Sequence, residues 1–248
     1  MIVLKSPREI GIMRRAGRIV AEILDRMRDE AKPGITTLAL DTLAEKLTRK
    51  AGALPAFKGY REYRHTLCTS VNEQVVHGIP GRRQLREGDI VGIDFGVIVE
   101  GFYGDAAVTI PVGRIGDDAR RLIETTEEAL RLGIASATAR HRLHDIGASV
   151  QAFAEAHGYS VVREYVGHGI GRELHEAPQV PNFGDPGTGL RLRPGMTLAI
   201  EPMINAGGRE VETLEDGWTV VTRDRSLSAH FEHTIAISEN GTEILTTL

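Results

Sequence analysis

One cysteine, Cys68, stands in 248 residues, which excludes an internal disulfide and fits a reducing compartment. No run of apolar residues is long enough to span a bilayer, and the opening MIVLKSPREIG lacks the basic stretch, apolar core and cleavage site of a secretory signal. Neither a membrane segment nor an export signal is expected; the cytoplasm is. A dominant charge is missing too. The 30 basic and 34 acidic residues leave a formal net charge of -4, and the basic side chains are scattered, so no nucleic-acid footprint is visible. Only five basic residues are lysines, a bias from which no function follows. At 41% hydrophobic and 26% charged, the composition is that of a soluble protein able to bury one large core or two smaller ones.

What is present is periodic. Ser6, Pro7 and Glu9 form a helix start, with a hydroxyl cap, proline in the first turn and an acid three residues on. Ile10, Met13, Ala16, Val20, Ile23, Leu24 and Met27 then predict an amphipathic helix to about Asp29. Thr36 or Thr37 caps a second helix that Gly52 stops, and AFKGYREYRHTLC follows as an irregular aromatic segment. SVNEQVVHGIP reads as a strand leading into a turn, with His77 at its end. Further helices are predicted from Asp117 or Asp118 to about Leu132 and from Leu143 to Ala156. Strands are predicted at Val161 to Val166, Thr197 to Ile204, Thr219 to Thr222 and His230 to Ile237.

The most apolar stretch, Gly88 to Ile110, carries Asp94 and Asp105 inside two strands joined near Glu100-Gly101. A two-residue loop centred on Val99-Glu100 sets the aspartates opposite each other, and a loop one residue later sets them diagonally on one face. A three-residue loop needs a bulge to restore that relation. Two ionised carboxylates in an apolar sheet repel, so one takes a proton or a cation sits between them. The plain alternative is that one of them lies on a solvated face or caps a turn.

A repeat bears on the choice. LREGDIVGIDFG and LRPGMTLAIEPM align Asp94 with Glu201, His77-Gly-Ile aligns with His168-Gly-Ile, and GDAAVTI with FEHTIAI aligns Asp105 with Glu232. These matches fall in chain order at growing offsets, as expected of two halves, about 6–112 and 117–240, with insertions in the second. One α+β domain over 1–248 is therefore expected, pseudo-twofold, with each half supplying a histidine and two acids to a shared axis. Asp94, Asp105, Glu201 and Glu232 converging with His168 can hold two divalent ions, and oxygen-rich ligation with one imidazole favours Mn, Fe or Co over structural zinc. Such a pair would polarise a carbonyl and acidify a water, which is hydrolysis chemistry, with His77 and His175 left to bind substrate or the developing oxyanion.

The motifs SVNEQVVHGIP, IDFGVIVEGFYGDAAVT, YVGHGIGRELHEAP, IEPM and EDGWTV followed by SAHFEHTI resemble, in order and spacing, those of the methionine aminopeptidases of the short bacterial type (type I). The resemblance covers nearly the whole chain. It implies the pita-bread fold, an antiparallel sheet covered by helices, with Asp94, Asp105, His168, Glu201 and Glu232 as ligands of two divalent ions (Co, Mn or Fe) and Asp105 and Glu232 bridging. It also implies that Glu201 shuttles a proton while His77 and His175 bind substrate and stabilise the tetrahedral intermediate. Tyr60, Tyr63, Cys68 and Trp218 match positions lining the methionine pocket. Leu174 and Phe57 depart from the family, standing where an aromatic and a small residue are common, and Asn72 and Ser228 sit where some members hold a monovalent cation. The implied activity is release of the initiator methionine from nascent chains with a small second residue. A cytoplasmic monomer is expected, with the ribosome as one place of encounter.

Rival readings are a proline-specific pita-bread peptidase, which would carry a separate N-terminal domain, a metal-free C–N hydrolase, which would have lost carboxylates, and a non-catalytic binding protein of the same fold. His65, His141, His144, His157, His230 and His233 read as surface or packed histidines, Cys68 as a pocket wall rather than a nucleophile, and GHGIG lacks the spacing of a dinucleotide loop.

Overall fold

The computed structural model describes residues 2–248. Four long helices form where capping and periodicity predict them: α1 (Pro7–Glu30), α2 (Thr37–Lys50), α3 (Asp117–Ser136) and α4 (Leu143–Ala156). The Ser6 hydroxyl accepts from the Glu9 amide while the Glu9 carboxylate accepts from the Ser6 amide, so α1 starts with a closed capping box. Thr36 caps α2 in the same way through the Ala39 amide. α3 runs to Ser136, one turn beyond the predicted end near Leu132, because Gly133 and Ile134 are themselves buried, Gly133 close against Val150 of α4.

The centre is a nine-stranded sheet. Its middle is four antiparallel neighbours, in the order Ile90–Val99, Phe102–Pro111, Glu232–Ser238 and Thr197–Ile200. Strands Ile90–Val99 and Phe102–Pro111 are a hairpin whose loop is Glu100-Gly101, both residues at positive φ (49° and 77°). This is the later of the two predicted loops, and it pairs Gly96 with Asp105 and Asp94 with Ala107. The aspartates are therefore diagonal on one face. The order is symmetric about the border between Phe102–Pro111 and Glu232–Ser238, where the first half of the chain meets the second.

Several predicted strands are broken. SVNEQVVHGIP is two strands, Leu67–Val71 (which begins before it) and Gln74–Val76, split at Asn72, whose φ is 59°. Of 161–166 only Val161 is in a strand, and the next strand is Gly167–Gly169. The predicted Thr197 to Ile204 is interrupted at Glu201-Pro202, since proline cannot donate to a ladder, and His230 to Ile237 is interrupted at Phe231.

The helices back the sheet. Ala16, Val20, Ile23, Leu24 and Met27 of α1 join Val91, Ile93, Phe95 and Val97, Ala106, Val108 and Ile110, Leu198 and Ile200, and Ile235 and Ile237 in one core. Contact is close because Gly104 lies against the backbone of Ala16 and Gly17. A Cβ at Gly104 would be 2.9 Å from the Gly17 nitrogen.

Candidate metal centre

Strand parity brings the acids together. The residues just named on each central strand face the helices, so the alternate positions face away, and Asp94, Asp105, Glu201 and Glu232 all occupy alternate positions. Ala107 lies between Asp94 on one neighbouring strand and Glu232 on the other. His233 pairs with Ile200, so continuing that register by one residue brings Glu201 level with Glu232. His168 pairs with Ala199, two residues before Glu201 and on the same face.

All five border a cavity of about 140 Å³ whose other walls are Phe57, Tyr60, Arg61, Tyr63, Cys68, His77, Leu174, His175 and Trp218. One ligand atom each from Asp105, His168 and Glu232 lie within 4.8 Å of one another. His168 Nδ1 donates to the Gly169 carbonyl at 2.9 Å, which leaves the Nε2 lone pair toward the acids, 3.4 Å from Glu201 Oε1. His175 Nδ1 lies 2.8 Å from the Tyr60 hydroxyl and its ring 4.2 Å from that of His168. His77, at φ 60°, sits edge-on to Tyr165 and Trp218. Trp218 is held by a turn in which Asp216 accepts from the amides of Trp218 and Thr219.

Burial controls the protonation of these groups. It raises Asp94, with Asp105 adding to the effect, and it pushes Asp105 up to about 7. Glu201 and Glu232 are likewise raised by burial and then by neighbouring carboxylates. Burial lowers His168 to about 3 and His77 to about 4, each helped by His175, so both imidazoles are neutral at physiological pH. Oδ1 of Asp94, Oδ1 of Asp105 and Oε1 of Glu232 are buried without a hydrogen-bond partner. Unpaired carboxylate oxygens converging with one imidazole lone pair are the donor set a divalent cation satisfies, so the residues present fit the metal.

Of the histidines read as surface or packed, His230 is a packed one that also approaches the acids: it is buried with Nε2 unpartnered and 3.7 Å from Glu201 Oε2. The signal was the spacing His230-x-Glu232, two residues on one side of an extended chain. The other five have local partners: His65 with Asp41, His141 with Thr138, His144 with Thr188, His157 with the Phe153 carbonyl and His233 with Thr246. Cys68 pairs with Asp94 across the sheet, and burial with that nearby acid pushes its thiol up, away from nucleophile chemistry. Asn72 and Ser228 lie outside the cavity and are joined by a bond from the Ser228 amide to the Asn72 carbonyl.

A sheet doubled about one axis, backed by helices and open toward a buried acid cluster, is the pita-bread architecture of metal-dependent peptidases. The solved structure of a methionine aminopeptidase from Thermotoga maritima matches it over 100% of both chains with a TM-score of 0.99 and 49% identity. A prolidase from Pyrococcus horikoshii matches with a TM-score of 0.80 at 25% identity, but only 64% of that longer chain is covered. The chain belongs to metallopeptidase family M24, whose model matches residues 11–239. Among curated relatives, methionine aminopeptidase 1 of Bacillus subtilis is 55% identical over 99% of each chain, and the methionine aminopeptidase of Escherichia coli is 47% identical over 99% of this chain and 94% of its own.

Proposed function

We propose that this protein is a methionyl aminopeptidase that removes the N-terminal, initiator methionine from polypeptides with a small second residue. The observation that carries the reading is a small cavity with aromatic and sulfur-bearing walls ending on the acid cluster. It suits one unbranched thioether side chain with its backbone at the metal centre. In this reading Asp94, Asp105, His168, Glu201 and Glu232 would hold two divalent cations of the Mn, Fe or Co kind. When bound, these cations supply Lewis acidity toward the scissile carbonyl and toward water.

The side chains do the rest. The Tyr60 hydroxyl lies 2.8 Å from His175 Nδ1; in this reading it donates there, which puts the ring proton on Nε2, where it meets the carbonyl oxygen as negative charge develops. Neutral His77, beside Trp218 in the cavity wall, donates to the substrate backbone. Glu201, between His168 and His230, takes a proton from the attacking water and returns it to the leaving amine. Phe57, Tyr63, Cys68, Leu174 and Trp218 shape the pocket and keep bulk water out. The chain acts as one domain and a monomer in the cytoplasm, on nascent chains that include those still at the ribosome.

The test is methionine release from Met-Ala peptides before and after chelation, with Mn, Fe or Co restored singly and Ala-Pro as a control. Activity should vanish with the metal and return with it. Unchanged release after stripping, or cleavage of Ala-Pro alone, would overturn the reading.

A further inference from the structure

Far from the acids along the chain, Lys5 is paired with Glu176 where neither charge reaches solvent freely: the side chains are 3% and 14% exposed. A buried ion pair is weak evidence for stability, because desolvation offsets most of the attraction. Its placement suggests a different purpose. Glu176 follows His175 directly, and its second oxygen, Oε1, accepts from the amides of Arg172 (2.8 Å) and Glu173 (3.3 Å). One carboxylate thus closes residues 172–176 into a ring that displays Leu174 and His175 to the cavity. Lys5 fixes that carboxylate from the other side. Its ammonium also donates to the Val3 carbonyl at 3.1 Å, and its own amide donates to the Gly195 carbonyl at 2.7 Å. Gly171 completes the arrangement, since a Cβ there would overlap the Lys5 stem and the Glu176 carboxylate.

We infer that Lys5 and Glu176 are positioning residues for His175: the pair locks the 172–176 loop so that Nδ1 stays within reach of the Tyr60 hydroxyl and Nε2 keeps its proton toward the substrate carbonyl. The inference rests on the role proposed above for His175. If Glu176 loses its cation, its carboxylate is free to turn away from the Arg172 and Glu173 amides, and the imidazole loses its fixed orientation. Loss of the cation also costs stability, because it leaves a buried carboxylate uncompensated, but catalysis suffers in addition, because a small misplacement of a reacting group costs up to about a hundredfold in rate.

The experiment uses Lys5→Met and Glu176→Gln, singly and together, in the wild-type and His175→Ala backgrounds. With Met-Ala peptide, each single variant should lower kcat by about tenfold to a hundredfold with KM nearly unchanged. The double variant should be no worse than either single one, and neither substitution should lower the residual rate of His175→Ala further. In metal-free protein, ring ¹⁵N signals of His175 should move from the Nε2–H tautomer toward a mixture in both variants. Equal losses in both backgrounds, or a lower Tm with unchanged His175 ring signals, would overturn the inference. If the wild-type chain releases no methionine, the proposed activity fails while the ring signals still decide the role of Lys5.

Discussion

The two halves of the central sheet carry the same kinds of residue in different settings. Asp94 and Asp105 lie inside ten-residue strands paired without interruption from Ile90–Pro111 to Val99–Phe102. Glu201 and Glu232 stand where strands break, one before Pro202 and one after Phe231. The first half is therefore a platform anchored by unbroken pairing, and the second sets its acids at strand ends. Short carboxylates suit the platform because the backbone sets their positions. The longer glutamates suit the breaks, where loose ends are tied by the Asn182 side chain donating to the Glu201 carbonyl and by the Phe231 amide donating to the Pro202 carbonyl. The group assigned to proton transfer thus sits at a strand end rather than inside a ladder.

That contrast can be broken in three ways. Glu201→Gln should leave the fold and Tm intact yet lower kcat by about 10²–10⁴-fold, as loss of a general acid–base does. A loss below tenfold would move proton transfer to another group. Gly104→Ala tests the anchored half: the new methyl group meets the Gly17 nitrogen, and the expected loss is about 1–3 kcal/mol in denaturant unfolding, the usual cost of overpacking. Wild-type stability in that variant would mean that α1 is free to shift.

The smallest effect concerns pH. Asp105 rises from an ordinary 3.8 to about 7 in the metal-free fold, so its contribution to stability is present in full below about 4 and is lost as pH rises toward 7. The Tm of metal-free protein should fall by a few degrees across that range. Added Mn should restore more of it at pH 7.5 than at pH 5. A cation effect equal at both pH values would show that Asp105 is ionised without its partner.

The legible parts of this architecture are those set by local chemistry. Ser6, Glu9 and Thr36 announce helix starts because capping needs only the next three residues, and alternation around Asp94 and Asp105 places both on one face. Glu201 and Glu232 are legible through the repeat and the family motifs rather than through periodicity, since an acid at a strand break has no periodic signal. The breaks at Asn72, Pro202 and Phe231 are hard to read because strand residues resume within two positions of each, and the partners that end pairing are remote: Gln74–Val76 leaves the central sheet to pair with Val220–Thr222. The approach of His230 to Glu201 is hidden for the same reason, as its neighbour Met203 lies on a strand inside the predicted Thr197 to Ile204.

The Glu100-Gly101 turn has an evolutionary corollary. One residue added to or removed from it would rotate the second arm of the hairpin by a full side-chain alternation, sending Asp105 into the greasy layer beneath α1 and lifting Ala106 into its place. Unless a bulge absorbs the change, the length of this turn is thus tied to a carboxylate about three strand residues from its tip.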